Sequence, residues 1–350
     1  MEKRKPFSLT WSLVIIFTLV AFFTVSAHQA LASGKKPIEL SFAMTIPMKA
    51  APYHSAFLPW SKEIEKRTNG QVKFKFYPSQ TLVKARDSYD AVVNGIADMS
   101  WAAHSLTPKR FPLTSVMELP FLSTNTFAGS YTAQDLYKKF PQIQAEHNDV
   151  HLLFFWVTLP YEVHTVKKPV KTPADMKGMK LATQPGARAA LQGLGSSPVT
   201  MPSPKIYQAV EKGVADGSAL AWGAYKAWKI YEVTKYHINP HLGGLPYWTA
   251  MNKNRWNSLP KDVQKVFTEV TAEMMPRTLC EAVTKEGKKG MAISLDRGQE
   301  IIDLSPADLA KWAATGKPAW DKWVKDMKAK GLPGQAVLDE AVTLIKKYNK

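Results

Sequence analysis

Between Asp175 and Gly217 the sequence alternates strand and helix signals, and this alternation constrains the fold more than any other feature. A short strand, Lys180 to Thr183, is followed by a helix, a second strand, a second helix from Pro204 to Lys212 and a third strand that opens at Val214. Strands that are joined through helices pair in parallel, and their crossovers are right-handed. The segment therefore predicts an α/β fold with a mainly parallel sheet that is covered by helices.

The same alternation extends to both sides of this segment. Val72–Tyr77 alternates apolar Val and Phe with Lys, which is typical of a half-buried strand. The other predicted strands are Ile38–Thr45, Ile96–Trp101, His151–Thr158, Glu162–Val166 and Gly243–Asn252. The predicted helices are His54–Thr68, Asp87–Asn94, Pro260–Glu286 and a helical region over Ser305–Asn349. Ser305 and Pro306 suit the N-cap and the first position of a helix, so we expect a helix to begin there.

The first 32 residues have the three parts of a secretory signal. Glu2 to Lys5 is basic overall, Leu9 to Ala27 is an almost uncharged apolar run, and Ala30-Leu-Ala32 supplies a cleavage site of small residues. We predict cleavage before Ser33, which places the mature protein in the periplasm. The alternative is an uncleaved anchor, because the apolar run is long enough to span a bilayer.

The chain is strongly basic. Its formal net charge is +17, and removal of the signal, which carries +2, leaves +15. A basic protein can bind nucleic acid, an anionic surface or an anionic solute. The lysines are scattered and the protein is secreted, so we expect no nucleic-acid partner. Cys280 is the single cysteine, which excludes an intramolecular disulfide and indicates a buried structural residue.

No motif assembles an enzyme active site. His237 and His241 have the spacing of two helical metal ligands, but Pro240 lies between them and no Glu completes a metalloprotease frame. The sequence Gly193-Leu-Gly-Ser-Ser lacks the lysine of a phosphate-binding loop and follows a helix, which favours a C-cap turn. We therefore predict a protein without catalytic residues, metal or cofactor.

Four pieces of the second half occur together in the order and spacing of a known family. They are Pro173–Leu181 (PADMKGMKL), Leu194–Pro202 (LGSSPVTMP), Ile206–Gly217 (IYQAVEKGVADG) and Tyr231–Tyr236 (YEVTKY). In this combination they resemble the second lobe of the extracytoplasmic solute receptors of TRAP transporters, the DctP-like family. Shorter matches such as Leu119-Pro-Phe extend the resemblance over nearly all of the mature chain.

The resemblance implies an α/β, two-lobed periplasmic-binding-protein-like fold with crossover strands and a helical C-terminal region. Its expected parts are a signal at 1–32, lobe I at 33–160 with a return segment at about 250–300, lobe II at 161–249 and the C-terminal region at 301–350. Trp312, Trp320 and Trp323 are expected to pack that last region onto the lobes.

The resemblance also implies a function. The protein would be the periplasmic solute-binding receptor of a TRAP-type secondary uptake transporter, closing its lobes over a small organic solute and then docking on the membrane subunits. We expect a monomer and an organic acid or another solute with an aromatic or apolar body. Two alternatives stay open, a receptor that reports to a sensor kinase and a periplasmic enzyme.

The sequence departs from the family pattern where a solute acid would be held. Most relatives carry an arginine at the position of Ala182, and a guanidinium is well shaped for a two-pronged carboxylate bridge. The residues after Asp216-Gly217 are Ser218-Ala-Leu-Ala-Trp222 instead of an amide-rich run. Pro160-Tyr161-Glu162 stands where some members carry a second basic residue, and Glu162, if it points inward, would favour a cationic or hydroxyl-bearing group. Either the solute is not a simple monocarboxylate, or a basic residue from elsewhere, such as Lys109, Lys205 or Arg188, holds its anion.

Aromatic side chains at the ends of predicted strands suggest the wall of a solute pocket, because such pockets are mostly apolar with a few polar anchors. The predicted solute-binding residues are Thr45, Trp101, His104, Tyr161, Ala182, Thr183, Arg188, Ser218, Trp222 and Tyr247.

Overall fold

The computed structural model of the protein describes residues 36–107 and 109–349. The predicted signal at residues 1–32 and its cleavage site lie outside the described residues. The strands are β1 Ile38–Met44, β2 Val72–Tyr77, β3 Met99–Ala103, β4 Val150–Val157, β5 Glu162–Thr165, β6 Lys180–Thr183, β7 Ser197–Thr200, β8 Gly217–Leu220, β9 Tyr236–Ile238, β10 Pro246–Asn252 and β11 Glu300–Ile302.

The helices alternate with these strands in the first two thirds of the chain and dominate the last third. They are α1 Leu58–Arg67, α2 Ser88–Val93, α3 Thr126–Lys139, α4 Pro141–Ala145, α5 Arg188–Gly193, α6 Ser203–Glu211, α7 Trp222–Ala227, α8 Lys253–Ser258, α9 Lys261–Met274, α10 Arg277–Asp296, α11 Pro306–Ala314, α12 Lys317–Ala329 and α13 Gly334–Tyr348. None of the helices within the described ranges is long and apolar enough to cross a lipid bilayer.

Two sheets form the cores of two lobes. The first has the strand order β2-β1-β3-β10-β4, with β1 and β3 parallel and β10 antiparallel to β3 and β4. The second has the order β11-β9-β5-β8-β6-β7, with β6 parallel to β7 and β8. We call the first sheet and its helices lobe I, and the second sheet and its helices lobe II. The predicted parallel unit and the two-lobed α/β fold are confirmed.

Two segments of the chain cross between the lobes side by side. Residues 158–161 lead from β4 to β5, and residues 239–245 lead back from β9 to β10. The backbone N–H of Tyr161 donates to the Gly243 carbonyl at 3.0 Å, and the N–H of Leu242 donates to the Tyr161 carbonyl at 3.0 Å. The two segments therefore form a short hydrogen-bonded ribbon, where the sequence predicted crossover strands.

The long helix α10 connects the lobes a third time. Its buried Cys280 packs against α3 of lobe I, with the Cys280 sulfur 3.5 Å from the Ser130 hydroxyl oxygen. Further along, Gly290 lies directly against the backbone of Trp222 in lobe II. The chain then continues into β11, which pairs with β9 in the lobe II sheet. One continuous helix thus contacts both lobes, and the expected buried position of Cys280 is confirmed.

The predicted single helix over Pro260–Glu286 is wrong, because the structure has two helices, α9 and α10, that meet at Met275 and Pro276. Met275 has extended backbone angles, φ −106° and ψ 144°. Proline has no N–H to donate and disfavours helical angles in the residue before it. The apolar periodicity is helical on both sides of Pro276. The pattern alone therefore predicted one helix, where the proline separates two.

The C-terminal helices pack on lobe I and lobe II through their tryptophans, as predicted. Ser305 caps α11 by accepting a hydrogen bond from the Asp308 N–H at 3.2 Å. Trp312 is fully buried in the lobe II core cluster. The indole N–H of Trp320 donates to the Pro120 carbonyl at 2.8 Å, and that of Trp323 donates to the Ser115 hydroxyl at 2.9 Å.

Candidate functional site

The first feature of the site is a hydrogen-bonded chain at the junction of the lobes, centred on Tyr161. The Tyr161 hydroxyl donates to Gln184 Oε1 at 3.0 Å, and Gln184 Nε2 donates to the Ser203 hydroxyl at 2.5 Å. Gln184 directly follows β6 and Ser203 opens α6, so both lie at the carboxyl edge of the lobe II sheet. Open α/β sheets bind ligands at this edge. Sequence reasoning identified Tyr161 but missed Gln184 and Ser203, which no motif distinguishes from loop residues.

The second feature is a cluster of three aromatic rings on lobe I. Trp101 of β3 stacks on Tyr247 of β10 with ring centroids 4.7 Å apart, and Trp156 of β4 lies 5.6 Å from Trp101 and 5.2 Å from Tyr247. The register brings them together, because Tyr247 pairs with Trp156 on one side and with Ala103 on the other. Among the described residues, the buried indole N–H of Trp101 has no hydrogen-bond partner.

The titratable groups at the Tyr161 junction have raised pKa values, which favours their neutral, protonated forms. Burial raises the pKa of Tyr247 to about 12, and it raises the pKa of Tyr161 further still, with contributions from Tyr247 and Glu118. Both phenols are therefore protonated donors at neutral pH. Burial also raises the pKa of the half-buried Glu118 to about 7. Glu118 thus brings a carboxyl group that is partly protonated at neutral pH close to Tyr161, and sequence reasoning did not single it out.

Four predicted residues lie in or beside the lobe II sheet. Ala182 is fully buried in the cluster that contains Trp222 and Tyr225, and Ser218 is fully buried on the neighbouring strand. The Thr183 hydroxyl donates to the Ala219 carbonyl at 2.9 Å. Arg188 is exposed at the start of α5. The fully buried Ala182, Thr183 and Ser218 present no side-chain surface to solvent in this arrangement of the lobes.

The two predicted residues after the first strands of lobe I have different surroundings. Thr45 follows β1 and is half-buried. His104 follows β3 and is buried, with Nδ1 3.1 Å from the Pro246 carbonyl oxygen and Nε2 3.2 Å from Nε2 of His147. Both ring nitrogens of His104 thus face protein atoms.

Trp222 lines a separate cavity of about 310 Å³ between the lobes, which we call the hinge cavity. Its walls come from residues 124–127 at the start of α3, the crossing residues 159–160 and α10. Lobe II contributes Trp222 and Glu162, and the second crossing segment contributes Asn239 and His241. The Trp222 indole N–H donates to Asn239 Oδ1 at 2.8 Å, which fixes the ring against the cavity wall.

Glu162 points into the hinge cavity wall, but its carboxylate is already occupied. Its Oε1 is 2.7 Å from Nδ1 of His241, and its Oε2 accepts from the His241 backbone N–H at 3.0 Å. Burial alone would lower the pKa of His241, but the Glu162 carboxylate outweighs this and raises the pKa. In this arrangement the Glu162 carboxylate is thus paired with His241, and the expectation that it favours a cationic or hydroxyl-bearing solute group stays a prediction.

The two histidines with metal-ligand spacing do not share a helix. His237 lies in β9, with Nδ1 3.1 Å from Nδ1 of His164, and His241 lies in the crossing segment beside Glu162. In residues 36–107 and 109–349, no three His, Cys, Asp or Glu side chains are arranged to hold a metal ion.

Comparison with known proteins identifies what this arrangement is similar to. Residues 42–326 match the family model described as bacterial extracellular solute-binding protein, family 7 (DctP). The C4-dicarboxylate-binding periplasmic protein of Rhodobacter capsulatus is 26% identical over 90% of this chain and 95% of its own.

Solved structures agree. A TRAP solute-binding protein from a marine metagenome, described as specific for aromatic acids and bound to 3-hydroxybenzoate, is 30% identical with a TM-score of 0.82 over 90% of this chain and 100% of its own. A TRAP protein of Rhodoferax ferrireducens with copurified benzoate is 27% identical with a TM-score of 0.80, over 89% of this chain and 98% of its own. Proteins of this kind bind substrates and are not enzymes.

Proposed function

Because the chain belongs to the DctP family of bacterial extracellular solute-binding proteins and is a TRAP solute receptor, we propose that its solute is a small aromatic acid. The observation that carries this proposal is the ring cluster of Trp101, Trp156 and Tyr247 at the lobe junction. Aromatic rings stack in offset or edge-on arrangements that add to the free energy of apolar burial. An aromatic solute suits such a wall better than an aliphatic dicarboxylate does.

The polar groups beside the ring cluster support the same solute class. The unpartnered indole N–H of Trp101 is a donor, and an acid offers acceptors. The Tyr161 hydroxyl donates its proton to Gln184 and keeps lone pairs that accept from a ring hydroxyl. Glu118, with its pKa raised by burial to about 7, can exchange hydrogen bonds with a ring hydroxyl. A hydroxylated benzoate would thus satisfy groups that an unsubstituted aromatic hydrocarbon would leave unpaired.

Capture would proceed by closure of the lobes. A solute that contacts both lobes shifts the population toward the closed form by its higher affinity for that form. The two crossing segments and α10 are the connections that must bend or pivot, since they join the lobes. The closed receptor would then be recognised in the periplasm by the membrane subunits of the transporter, to which it would deliver its solute.

The test is a thermal-shift screen of the mature protein followed by calorimetry, with 3-hydroxybenzoate, benzoate, succinate and a neutral polyol as probes. A ligand at a hundredfold excess over its Kd stabilises the protein by about 2.7 kcal/mol. We expect stabilisation by the aromatic acids and little by succinate or the polyol. We also expect Trp101→Ala to weaken binding of 3-hydroxybenzoate by about 1–3 kcal/mol, through lost burial and stacking.

Binding of succinate alone would contradict the proposed solute class. Equal affinities of the parent and a folded Trp101→Ala variant would show that the ring cluster is not the solute wall.

A further inference from the structure

The hinge cavity lies on the opposite side of the crossing segment from the Tyr161 junction. Tyr161 and Glu162 are neighbours in an extended stretch, so their side chains point to opposite faces. Tyr161 reaches Gln184, whereas Glu162 reaches His241 in the cavity wall. The hinge cavity therefore has its own set of lining groups, separate from the ring cluster and the Tyr161 chain.

Two amide side chains in the cavity have orientations that their partners fix. Asn239 accepts from the Trp222 indole N–H, and Asn125 accepts from the backbone N–H of Phe127 at 2.8 Å and of Ala128 at 3.2 Å. These partners can only donate, so the amide oxygens must face them. The Nδ2 groups of both residues have no partner in the described part of the chain, and each remains a free donor.

Two basic side chains, His241 and Lys288, also line the hinge cavity. His241 donates from Nδ1 to the Glu162 carboxylate, which can only accept, and its Nε2 has no partner among the described residues. The His241 side chain lines the cavity and keeps 37% of its surface exposed. Lys288 of α10 lines the cavity, is exposed and has no salt bridge to any described carboxylate.

The free side-chain nitrogens of the cavity are therefore donors, the hydroxyls of Thr124 and Thr284 can donate or accept, and its one carboxylate is already paired. Such a set suits a ligand that only accepts hydrogen bonds, as an ionised carboxylate does. The walls beside these groups are apolar and include Phe127, Leu159, Trp222 and Met291. The volume of about 310 Å³ lies at the small end of ligand pockets, which excludes large solutes.

From this we infer that the hinge cavity is a second binding site, for a small monocarboxylate with an apolar body, held by His241, Lys288, Asn239 and Asn125. The site is built from lobe I, lobe II, the crossing segment and α10 together. Its occupant contacts every part that must move when the lobes open, so it stabilises the arrangement described here. The site does not depend on which solute binds at the Tyr161 junction.

The experiment uses the mature full chain and benzoate as the probe. In a Trp101→Ala/Tyr161→Phe background, which weakens the junction, calorimetry should still detect benzoate binding. His241→Gln and Lys288→Ala, made separately in that background, should each lower the remaining affinity at least fivefold. Lys325→Ala is the control, because Lys325 is an exposed lysine of α12 that lines neither the hinge cavity nor the adjoining groove along α10. Melting temperatures verify that each variant folds.

A crystal of the parent protein grown with 4-iodobenzoate locates the occupant directly, since anomalous scattering identifies the iodine. Iodine beside Trp222 and Phe127 supports the inference. Absence of iodine there, with iodine at the Tyr161 junction, overturns it and leaves the proposed function intact. Loss of all benzoate binding in the Trp101→Ala/Tyr161→Phe background, or equal effects of Lys288→Ala and Lys325→Ala, overturns it as well. Sulfate that competes with benzoate at equal affinity would overturn the requirement for an apolar body.

Discussion

Ala182 stands at the strand position that the family resemblance assigns to an arginine, and its surroundings leave no room for one. The side chain is fully buried, and the same cluster contains Ile206, Val210, Trp222 and Tyr225. An arginine at this position must either displace these side chains or bury a guanidinium without a partner. The packing of lobe II around residue 182 therefore has space for an alanine and none for an arginine.

Ala182→Arg should lower the free energy of unfolding by at least about 3 kcal/mol, because it overpacks a closed core and buries an unpaired charge. Chemical denaturation of parent and variant gives the difference. Ala189→Arg serves as the control, since Ala189 is exposed on the next helix and should change stability by less than about 0.5 kcal/mol. A variant that unfolds like the parent and gains affinity for small acids would show instead that residue 182 faces the solute.

His241 combines a strained backbone with a buried partner. Its φ of +53° lies in the left-handed region that side chains rarely adopt, and both its backbone N–H and its Nδ1 bind Glu162. The Glu162 carboxylate thus supports a conformation that would otherwise cost about 1–3 kcal/mol. The imidazole is held in place rather than free to rotate, as a ligand-binding donor requires.

The pH dependence of stability should reveal this pair. The pKa of His241 is raised in the folded state above its unfolded value of about 6.5, so its contribution is full below that pH and is lost as the pH rises through the folded pKa. Burial also raises the pKa of the Glu162 carboxyl, so the ion pair weakens again as Glu162 is protonated at acidic pH. Denaturation of the parent and of His241→Gln from pH 4 to pH 9 should therefore show the largest difference between the folded pKa values of Glu162 and His241, and smaller differences on both sides. A difference that is constant with pH would mean that the ion pair contributes nothing. Lys288 is the other charged group that faces this cavity.

Among the elements, α10 depends on two glycines where it passes lobe II. A Cβ at Gly290 would collide with the backbone carbonyl oxygen of Trp222, which cannot move without shifting α7. A Cβ at Gly287 would lie 2.8 Å from Leu159 Cδ1, the flexible end of a side chain. Both glycines thus allow α10 to approach its neighbours closely, but an added Cβ is tolerated better at Gly287 than at Gly290.

Gly290→Ala should destabilise the protein by about 1–3 kcal/mol, because backbone overpacking exceeds the gain of about 1 kcal/mol that alanine brings to a helix. Gly287→Ala should be close to neutral, since Leu159 can change rotamer. Thermal and denaturant unfolding of both variants compare them directly. If Gly290→Ala were as stable as Gly287→Ala, α10 would not be pressed against α7 as the structure places it.

Periodicity predicted the elements well where one face of each is buried, and poorly where tertiary contacts set the ends. Val72–Tyr77 was predicted with its observed bounds, because its Lys and Phe residues face opposite sides. The strand predicted over Ile96–Trp101 lies at Met99–Ala103, since Ile96 is exposed in the turn before it. The proposed binding groups Gln184, Asn239 and His241 could not be predicted, because only folding brings these loop residues to the region between the lobes.

For the whole molecule, membership of a family of bacterial extracellular solute-binding proteins predicts a receptor that works outside the cytoplasm. The N-terminal signal is the part of that prediction that the sequence carries alone. We expect the periplasmic form to begin at Ser33, after Ala30-Leu-Ala32. N-terminal sequencing or intact-mass measurement of protein from the periplasmic fraction tests this. Retention of Met1 in membrane-bound material would support the uncleaved anchor instead.

The alkylation rate of the single cysteine can be used to follow movement of the lobes. Cys280 is fully buried where α10 packs on α3, and burial raises the pKa of its thiol, so the folded protein should react slowly with alkylating reagents. Labelling then requires a local opening, and its rate reports the population of opened molecules when reclosing is fast. Because no other thiol competes in the sequence, the mass of one adduct follows this event at a defined residue. A ligand that holds the lobes together would lower the labelling rate of Cys280, and a ligand that loosens α10 would raise it.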